Sequence, residues 1–210
     1  MTFQQELTSW LSPEAKKTNE VPAIGSKAPS SERLPVPGAD GKPVVVTFLR
    51  HCGCPFAEKT FRRLREAASG NADVRFVAVS HSDQASTERW LDSLSGGGGG
   101  GITTGPAVEL VVDAERDVFA QWGLGVSSLW HVLSPWSMYS VYRLGRDEGI
   151  WNRPTESGNR WQTAGSFAVD GEGVVRWGGP ARQADDVPDF GQAVKALREQ
   201  QQQQQPKAKL

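Results

Sequence analysis

Two cysteines lie one residue apart at the start of a predicted helix, and their types and spacing point most directly to chemistry. Cys52 and Cys54 are the two cysteines of the 210-residue chain. Pro55 fits the first position of a helix, so Cys54 is predicted at the N-cap or within one residue of it. Unpaired backbone N–H groups and the positive end of the helix dipole favour a thiolate there. The pattern predicts a nucleophilic sulfur at Cys54 that solvent can reach.

The residues around this pair are mostly basic. Between positions 50 and 66 there are five Lys or Arg against two Glu, so the local field also favours an anionic sulfur. Arg50 and His51 are the nearest candidates for side chains that assist a nucleophilic sulfur, although the end of a strand explains His51 equally well. Cys52, Cys54 and His51 are too few ligands for a metal site, and no metal is predicted.

A strand and a helix must position these side chains. Residues 44–49 form a short, β-branched and almost wholly apolar run, which is typical of a strand covered on both faces. Apolar residues then recur at helical spacing and predict a helix from Pro55 to about Ser69. Residues 74–79 form a second buried strand. This order of elements predicts a βαβ unit with the cysteines at its first strand-to-helix junction.

The remainder of the chain predicts further alternating strands and helices. They are a helix over 84–95, a third strand over 108–112, a short helix capped by Asp113, a hairpin with strands over 164–169 and 174–177, and a closing helix over 187–198. Together these elements predict one α/β domain with a central mixed sheet flanked by helices.

The ends of the chain and one loop fall outside this domain. Residues 1–20 are predicted to form an N-terminal arm with a short amphipathic helix, and the domain itself to span residues 21–198. Pro and Gly are frequent over 21–40, which predicts an extended surface segment. Six consecutive glycines at 96–101 predict an expanded loop, and the Gln-rich residues 199–210 a disordered tail.

A tryptophan-rich insertion is predicted over about 124–161, between the third strand and the hairpin. It holds four of the eight tryptophans of the chain, and three interpretations remain open: core packing, an apolar pocket above the cysteine, and a homodimer surface. The candidate substrate-binding residues are Trp130, Trp136, Arg160 and Trp161. Arg153 would add a second cation if the insertion covers the thiol.

Composition excludes several classes of function. The net charge of -1, without a long basic block, makes nucleic acid an unlikely partner. No apolar run approaches the roughly 20 residues of a membrane span. The first residues lack the charge and apolar core of a signal peptide, and two closely spaced cysteines are not a disulfide framework. We therefore expect a cytoplasmic protein.

Several segments resemble one known family. VPAIGSKAP at 21–29 and DGKPVVVTF at 40–48 are similar to the opening of peroxiredoxins of the alkyl hydroperoxide reductase and thiol-specific antioxidant family. FLRHCGCPFAE at 48–58 most resembles a peroxiredoxin-like branch with an Arg-His pair before its cysteine. VDAERDVFAQWGL at 112–124 and GSFAVD at 165–170 resemble later segments. The resemblance spans about 21–198 and implies a thioredoxin-like fold.

The resemblance implies that Cys54 is the peroxidatic cysteine. Two positions depart from the usual pattern, with His51 in place of a Thr or Ser and Thr47 in place of a Pro. Ala57 stands where a thioredoxin-type motif has its second cysteine. Either Cys52 resolves oxidised Cys54 through a strained disulfide, or an external thiol such as glutathione or thioredoxin regenerates it, without a bound cofactor.

Two functions of different classes follow from these observations. The first is a thiol-dependent oxidoreductase that reduces a peroxide or a related oxidant through Cys54. The alternative is a thioredoxin-fold protein without redox turnover, with Cys54 an unreactive thiol. Its tryptophan-rich insertion would bind or transform an apolar small molecule, or bind a partner chain.

Overall fold

A computed structural model describes residues 15–94, 108–127 and 135–204, which form a five-stranded sheet with helices packed on it. The strands are β1 (Val44–Phe48), β2 (Arg75–Ser80), β3 (Val108–Val112), β4 (Gly165–Val169) and β5 (Val175–Pro180). The helices are α1 (Pro55–Ser69), α2 (Gln84–Leu94), α3 (Asp117–Gln121), α4 (Pro135–Glu148) and α5 (Phe190–Gln204). The predicted N-terminal helix, the glycine run at 96–101 and Trp130 lie outside the described residues.

The sheet is mixed, with strand order β3-β2-β1-β4-β5. β1 pairs in parallel with β2 and antiparallel with β4, and all five of its residues are buried. A strand with neighbours on both edges and cores on both faces needs apolar side chains throughout. The prediction of a central buried strand, a βαβ unit and a final hairpin is confirmed.

Alternate residues of β1 enter two separate cores. Val45 and the following Leu49 pack in the cluster that includes α1 and α5. Val44, Val46 and Phe48 pack on the opposite face, where the Phe48 ring lies 5.0 Å from that of Phe119. Because successive side chains of a strand point to opposite faces, one short run supports both helical layers. The junction after β1 is therefore held by both cores.

Helix α1 begins and ends as the sequence predicts. Cys54 is its N-cap, Pro55 its first residue and Ser69 its last. Phe61, Leu64 and Ala68 are buried on its sheet-facing side. The positions of the strand end and the helix start together determine where Cys54 lies.

Two helices differ from the expectations. Residues 135–148, for which the sequence analysis predicts no strand or helix, form α4. The aromatic residues Trp136, Tyr139 and Tyr142 of this helix are exposed, so the spacing of its apolar residues does not reveal its buried side. Helix α5 continues to Gln204, so the tail predicted as disordered is helical over 199–204. Glutamine is a good helix former and extends an existing helix at little cost. Among the described residues, no helix is long and apolar enough to cross a bilayer.

Candidate functional site

The loop from β1 to α1 turns sharply and leaves Cys54 at the helix start. The backbone N–H of Cys54 donates to the carbonyl of His51 at 3.1 Å, and its carbonyl accepts from Glu58 N at 3.2 Å. Gly53 has φ of 104°, a conformation that favours glycine. The Cys54 sulfur makes no capping hydrogen bond. The position predicted for this thiol at the helix N-terminus is confirmed.

The expected accessibility of the thiol is wrong in this structure. Cys54 and Cys52 are each 5% exposed, and both belong to the apolar cluster that contains Phe56, Leu144 and Ile150. A segment at residues 153–160, called the cover below, also lies on the loop that carries the two cysteines. The Arg153 N–H donates to the carbonyl of Gly53 at 2.9 Å.

Gly53 is in contact with the backbone of the cover. A Cβ atom at this position would lie 2.7 Å from the carbonyl oxygen of Pro154 and 2.9 Å from that of Arg153. Such distances are shorter than real Cβ contacts, so a side chain at residue 53 would push the cover away. The glycine between the two cysteines is thus needed for two reasons: it allows the turn, and it allows the backbone of the cover to approach the loop closely.

A buried carboxylate holds the start of the cover. Glu58 in the first turn of α1 is 2% exposed, and it accepts hydrogen bonds from Arg62 at 2.6 Å and from Arg153 at 3.1 Å. A buried carboxylate with two cationic donors is compensated, whereas loss of one donor weakens that compensation. Glu58 therefore links the helix that begins at the thiol to the segment that covers it.

Most of the basic residues near the junction pair with acids elsewhere. Lys59 bonds to Glu148 at 2.6 Å, Arg62 to Glu58, and Arg63 lies 3.6 Å from Glu66. These ion pairs reduce the positive charge that the three cations contribute near the sulfur, and the predicted effect of the local field on Cys54 stays a prediction. Arg50 is buried and has a different environment.

Arg50 is a buried cation whose hydrogen bonds are incomplete. Its side chain is 8% exposed, and Nη2 donates to the carbonyl of Arg160 at 3.1 Å. Nε and Nη1 have no hydrogen-bond partner among the described residues. An unmade hydrogen bond from a buried donor costs roughly 1–3 kcal/mol, and more for a charged group. Arg50 therefore presents two donors that an anion or a polar oxygen would satisfy.

Two histidines lie under the cover beside this arginine. The Asn159 N–H donates to Nε2 of His81 at 3.1 Å, and burial lowers the pKa of His81 to about 4. Burial also lowers the pKa of His51 well below its ordinary value, with further lowering by Arg50 and Arg160. Both nitrogens of His51 lack a partner within the described chain. Both imidazoles are neutral at pH 7, and the positive charge of this cluster belongs to the arginines.

Cys52 points into a group of hydroxyls that the sequence did not single out. Its sulfur lies 3.8 Å from Oγ of Ser80 and 3.7 Å from Oγ1 of Thr87, and its N–H donates to Oγ of Ser82 at 3.0 Å. Burial raises the pKa of the Cys52 thiol. A thiol with a raised pKa is a poor nucleophile at neutral pH, so this environment disfavours Cys52 as a resolving residue. Ser80, Ser82 and Thr87 carried no signal beyond their place at a strand end and a helix start.

A cavity of about 630 Å³ opens on the other side of Arg50. Its walls come from the end of β1, the first turns of α1, the β4–β5 hairpin and residues 181–189. The side chains that matter for its chemistry are those of Thr47, Arg50, Phe56, Ser166, Trp177 and Val187. Cys54 is not part of the wall, but the next residues of its helix, Phe56 and Ala57, are. The cavity therefore lies beside the first turn of the helix that begins at Cys54.

The predicted substrate-binding residues do not form one site around this cavity. Arg160 is 8% exposed, contacts Arg50 through its carbonyl and donates to Oγ1 of Thr155 at 2.8 Å. Trp161 is buried, and its carbonyl accepts from Ser127. Trp136 is 75% exposed on α4. Neither tryptophan lines the cavity, whereas Trp177 of β5, which is not among the predicted substrate-binding residues, does.

Comparisons with known proteins agree with this geometry at the level of the fold. No protein-family model and no curated protein matches the sequence. Among solved structures, the chain is similar to a thiol peroxidase from Chromobacterium violaceum, with 14% identity, a TM-score of 0.52, and 89% of this chain and 92% of that one covered. It is also similar to a peroxiredoxin-like protein from Aquifex aeolicus, with 16% identity, a TM-score of 0.54, and 88% of this chain and 91% of that one covered. For peroxiredoxin 6 of Arenicola marina the identity is 13% and the TM-score 0.57, with 88% of this chain and 76% of that one covered. The chain has the thioredoxin-like fold that these proteins share.

Proposed function

We propose that this protein is a thiol-dependent peroxidase in which Cys54 is the nucleophile. The observation that carries the proposal is the junction after β1. There the N-cap thiol of α1 shares one short loop with Arg50, a buried guanidinium that has two unused donors. The helix N-terminus and the guanidinium both stabilise negative charge. The likeness of the fold to a thiol peroxidase and to peroxiredoxins supports the same chemistry.

The reaction begins with attack of the Cys54 thiolate on the terminal oxygen of a hydroperoxide. The sulfur–oxygen bond forms as the oxygen–oxygen bond breaks, so sulfur is oxidised to a sulfenic acid and the peroxide is reduced. The leaving alkoxide takes a proton and departs as an alcohol, or as water if the substrate is hydrogen peroxide. The unused N–H groups of Arg50 would donate to the oxygen on which negative charge develops.

An external thiol would complete the cycle. One thiol condenses with the Cys54 sulfenic acid to give water and a mixed disulfide, and a second thiol releases Cys54 as the external disulfide forms. Cys52 is a poor resolving residue because its pKa is raised and its sulfur is directed towards Ser80 and Thr87. Glutathione or thioredoxin has the required chemistry, and a reducing cytoplasm would supply either.

Peroxide must reach a sulfur that is almost completely buried. Two candidate routes lead to it: displacement of the cover, which lies on Gly53, and movement of Phe56, which lines the cavity two residues after Cys54. Either movement is local, since the cover and the first turn of α1 are short segments. The rate of peroxide consumption is therefore expected to follow the rate at which a thiol reagent labels Cys54.

The test is peroxide consumption with a thiol reductant by wild type, Cys54→Ser and Cys52→Ser. We expect Cys54→Ser to lose at least 100-fold in kcat/KM because no other residue forms the covalent intermediate. Cys52→Ser should retain most activity. Dimedone should trap a sulfenic acid at residue 54 in wild type and Cys52→Ser. If Cys54→Ser consumed peroxide at the wild-type rate, the proposal would be wrong; inactive Cys52→Ser that folds normally would assign the resolving role to Cys52.

A second candidate is binding of an apolar small molecule without redox turnover. The cavity of about 630 Å³ favours it, because this volume lies within the range of small-molecule sites and several walls are apolar. This candidate moves the binding site from the tryptophan-rich insertion to the hairpin side of Arg50. It becomes the main function if neither cysteine variant alters peroxide consumption while a ligand still binds.

A further inference from the structure

We propose that the cavity binds an apolar monocarboxylate, with the carboxylate on Arg50 and the hydrocarbon or aromatic body along the apolar wall. The site goes beyond the proposed peroxidase, since its binding needs no thiol. It rests on one juxtaposition: Arg50, a buried guanidinium with two nitrogens that have no partner among the described residues, is one of the residues that line a cavity of about 630 Å³.

The inner end of the cavity calls for an anion. Arg50 is more than nine-tenths buried, yet two of its three nitrogens have no partner among the described residues. Burial of a cation is costly unless it is paired, and the one bond it makes is to a neutral carbonyl. Thr47 and Ser166, whose hydroxyls are hydrogen bonded to each other at 3.3 Å, add polar groups at the same end. A carboxylate has the charge and the acceptors that these groups lack.

The histidines next to Arg50 do not supply this anion. His51 and His81 are buried and neutral, and Arg160 adds a second guanidinium to the cluster. The carboxylate nearest to the junction along the chain, Glu58, is already bonded to Arg62 and Arg153. Among the described residues, none therefore supplies an anion to the two unused nitrogens of Arg50.

The remaining residues of the cavity wall indicate which chemical groups the ligand carries beyond its carboxylate. Phe56, Trp177, Pro180 and Val187 provide apolar surface between Arg50 and the opening. A volume of this size is far larger than hydrogen peroxide or a single water needs, since a water occupies about 30 Å³ in the liquid. The cavity is large enough for a medium-length fatty acid or an aromatic acid. Apolar area that the ligand buries there adds to its affinity.

The opening selects for a single negative charge. Asp186 and Asp189 lie at the exposed edge of the cavity together with Arg182. A second carboxylate at the far end of the ligand would lie near these two aspartates, where like charges repel. The site is therefore expected to reject a dicarboxylate of equal length.

The experiment is direct binding to Cys54→Ser, which lacks the proposed nucleophile. Isothermal titration calorimetry compares decanoate, decan-1-ol and decanedioate. Decanoate should bind roughly 10- to 100-fold more tightly than the alcohol, because the charge-assisted hydrogen bonds to Arg50 are absent from the alcohol. Within a series of fatty acids, each added methylene should strengthen binding about 4-fold until the cavity is full. Decanedioate should bind more weakly than decanoate.

Variants of two arginines identify the anchor. Arg50→Met should abolish the preference for decanoate over the alcohol, and Arg50→Lys should keep part of it. Arg63→Met removes an exposed charge from the outer side of α1 and should leave binding unchanged. Equal affinity for acid and alcohol, or a preserved preference in Arg50→Met, would overturn the proposal.

Thermal unfolding without ligand provides a second readout for Arg50→Met. Replacement of an incompletely paired buried cation by an apolar side chain of similar length should leave the Tm unchanged or raise it. Decanoate should then raise the Tm of wild type but not that of Arg50→Met. A strong fall in Tm for Arg50→Met would show that Arg50 is fully paired, which contradicts the proposal. If the wild type consumed no peroxide but decanoate still bound, the peroxidase proposal alone would be refuted.

Discussion

The two sides of the β1–α1 junction are built differently. On one side the cover makes backbone contact with Gly53, an ion pair with Glu58 and a hydrogen bond with His81. On the other side the cavity has apolar walls and direct contact with the buried Arg50. One side is closed by specific polar bonds, and the other is left as open volume.

This difference separates two tasks that one thiol site must perform. Polar bonds have fixed geometry and hold a segment in one position, which suits the protection of a reactive sulfur from water. Apolar walls accept many shapes of similar volume, which suits the entry of an organic molecule. The comparison assigns protection to the cover and access to the cavity. The three predictions below test that assignment. The two that change the cover contacts can be checked by the rate at which a maleimide labels Cys54 in Cys52→Ser, and the one on acid by urea unfolding.

Gly53→Ala should have the largest effect. Alanine would adopt a strained φ of 104° and place its Cβ 2.7 Å from the carbonyl oxygen of Pro154. We expect the free energy of unfolding to fall by about 2–4 kcal/mol, as measured by urea titration. Labelling of Cys54 should become faster because the cover is displaced.

Gly25→Ala is the matched control for this variant. Gly25 also has a positive φ, of 91°, but a Cβ there meets no atom within 4 Å. Its cost should be limited to the backbone conformation, about 1–2 kcal/mol, without any change in labelling. Equal costs for the two variants would mean that the cover can move away from Gly53 freely.

A fall in pH should destabilise the folded protein through His51 and His81, the two histidines under the cover. The pKa of His81 is about 4 in the folded protein against 6.5 for an unperturbed histidine, so the unfolded chain binds more protons between these values. Stability is complete above about pH 7 and is lost as the pH falls towards 4. At pH 5 the loss from His81 alone is about 2 kcal/mol, and His51 acts in the same direction.

Urea unfolding at pH 7.5 and pH 5 measures this effect. The difference between the two pH values should shrink by about 2 kcal/mol in His81→Phe, since the titrating group is gone. Because the free energy of unfolding at the two pH values is compared within the same variant, the cost of the substitution itself cancels. A wild type that is equally stable at both pH values would contradict a buried neutral His81.

Arg153→Met should have the smallest effect on stability. It removes one of the two donors to Glu58, and because Arg153 is partly exposed we expect a loss of about 0.5–1 kcal/mol. Arg62→Met removes the other donor but leaves the cover attached. Labelling of Cys54 should therefore increase in Arg153→Met and not in Arg62→Met. Equal labelling in both would point to the cavity side as the route to the sulfur.

Much of the fold could be predicted from local pattern. The apolar run over 44–49, Pro55 after Cys54, and the apolar spacing from Ala57 to Ala68 correctly predicted β1, the N-cap and α1. Helix α4 escaped prediction because its aromatic residues are exposed and do not mark a buried face. Helix α5 extends beyond the expected end because glutamines prolong a helix that is already formed.

The candidate site was predictable only in part. Cys54 and Arg50 were identified from their places beside a helix start. The partners that determine their environment come from distant parts of the chain: Glu58 meets Arg153, Arg50 meets Arg160, and Cys52 meets Thr87. Trp177 and the hairpin form part of the cavity wall, whereas the sequence analysis had placed a possible pocket in the tryptophan-rich insertion.

By itself, the amino-acid sequence determined that a thiol stands at the start of a helix behind a buried strand. Apolar period and proline placement act over a few residues and need no tertiary partner to be recognised. Only the tertiary structure decided that the sulfur is covered, that Arg50 keeps two unused donors and that a cavity opens beside it. The burial and the hydrogen bonds of these side chains depend on contacts between residues about 100 positions apart in the chain. Which of these residues meet is determined by how the sheet and the two cores pack as a whole.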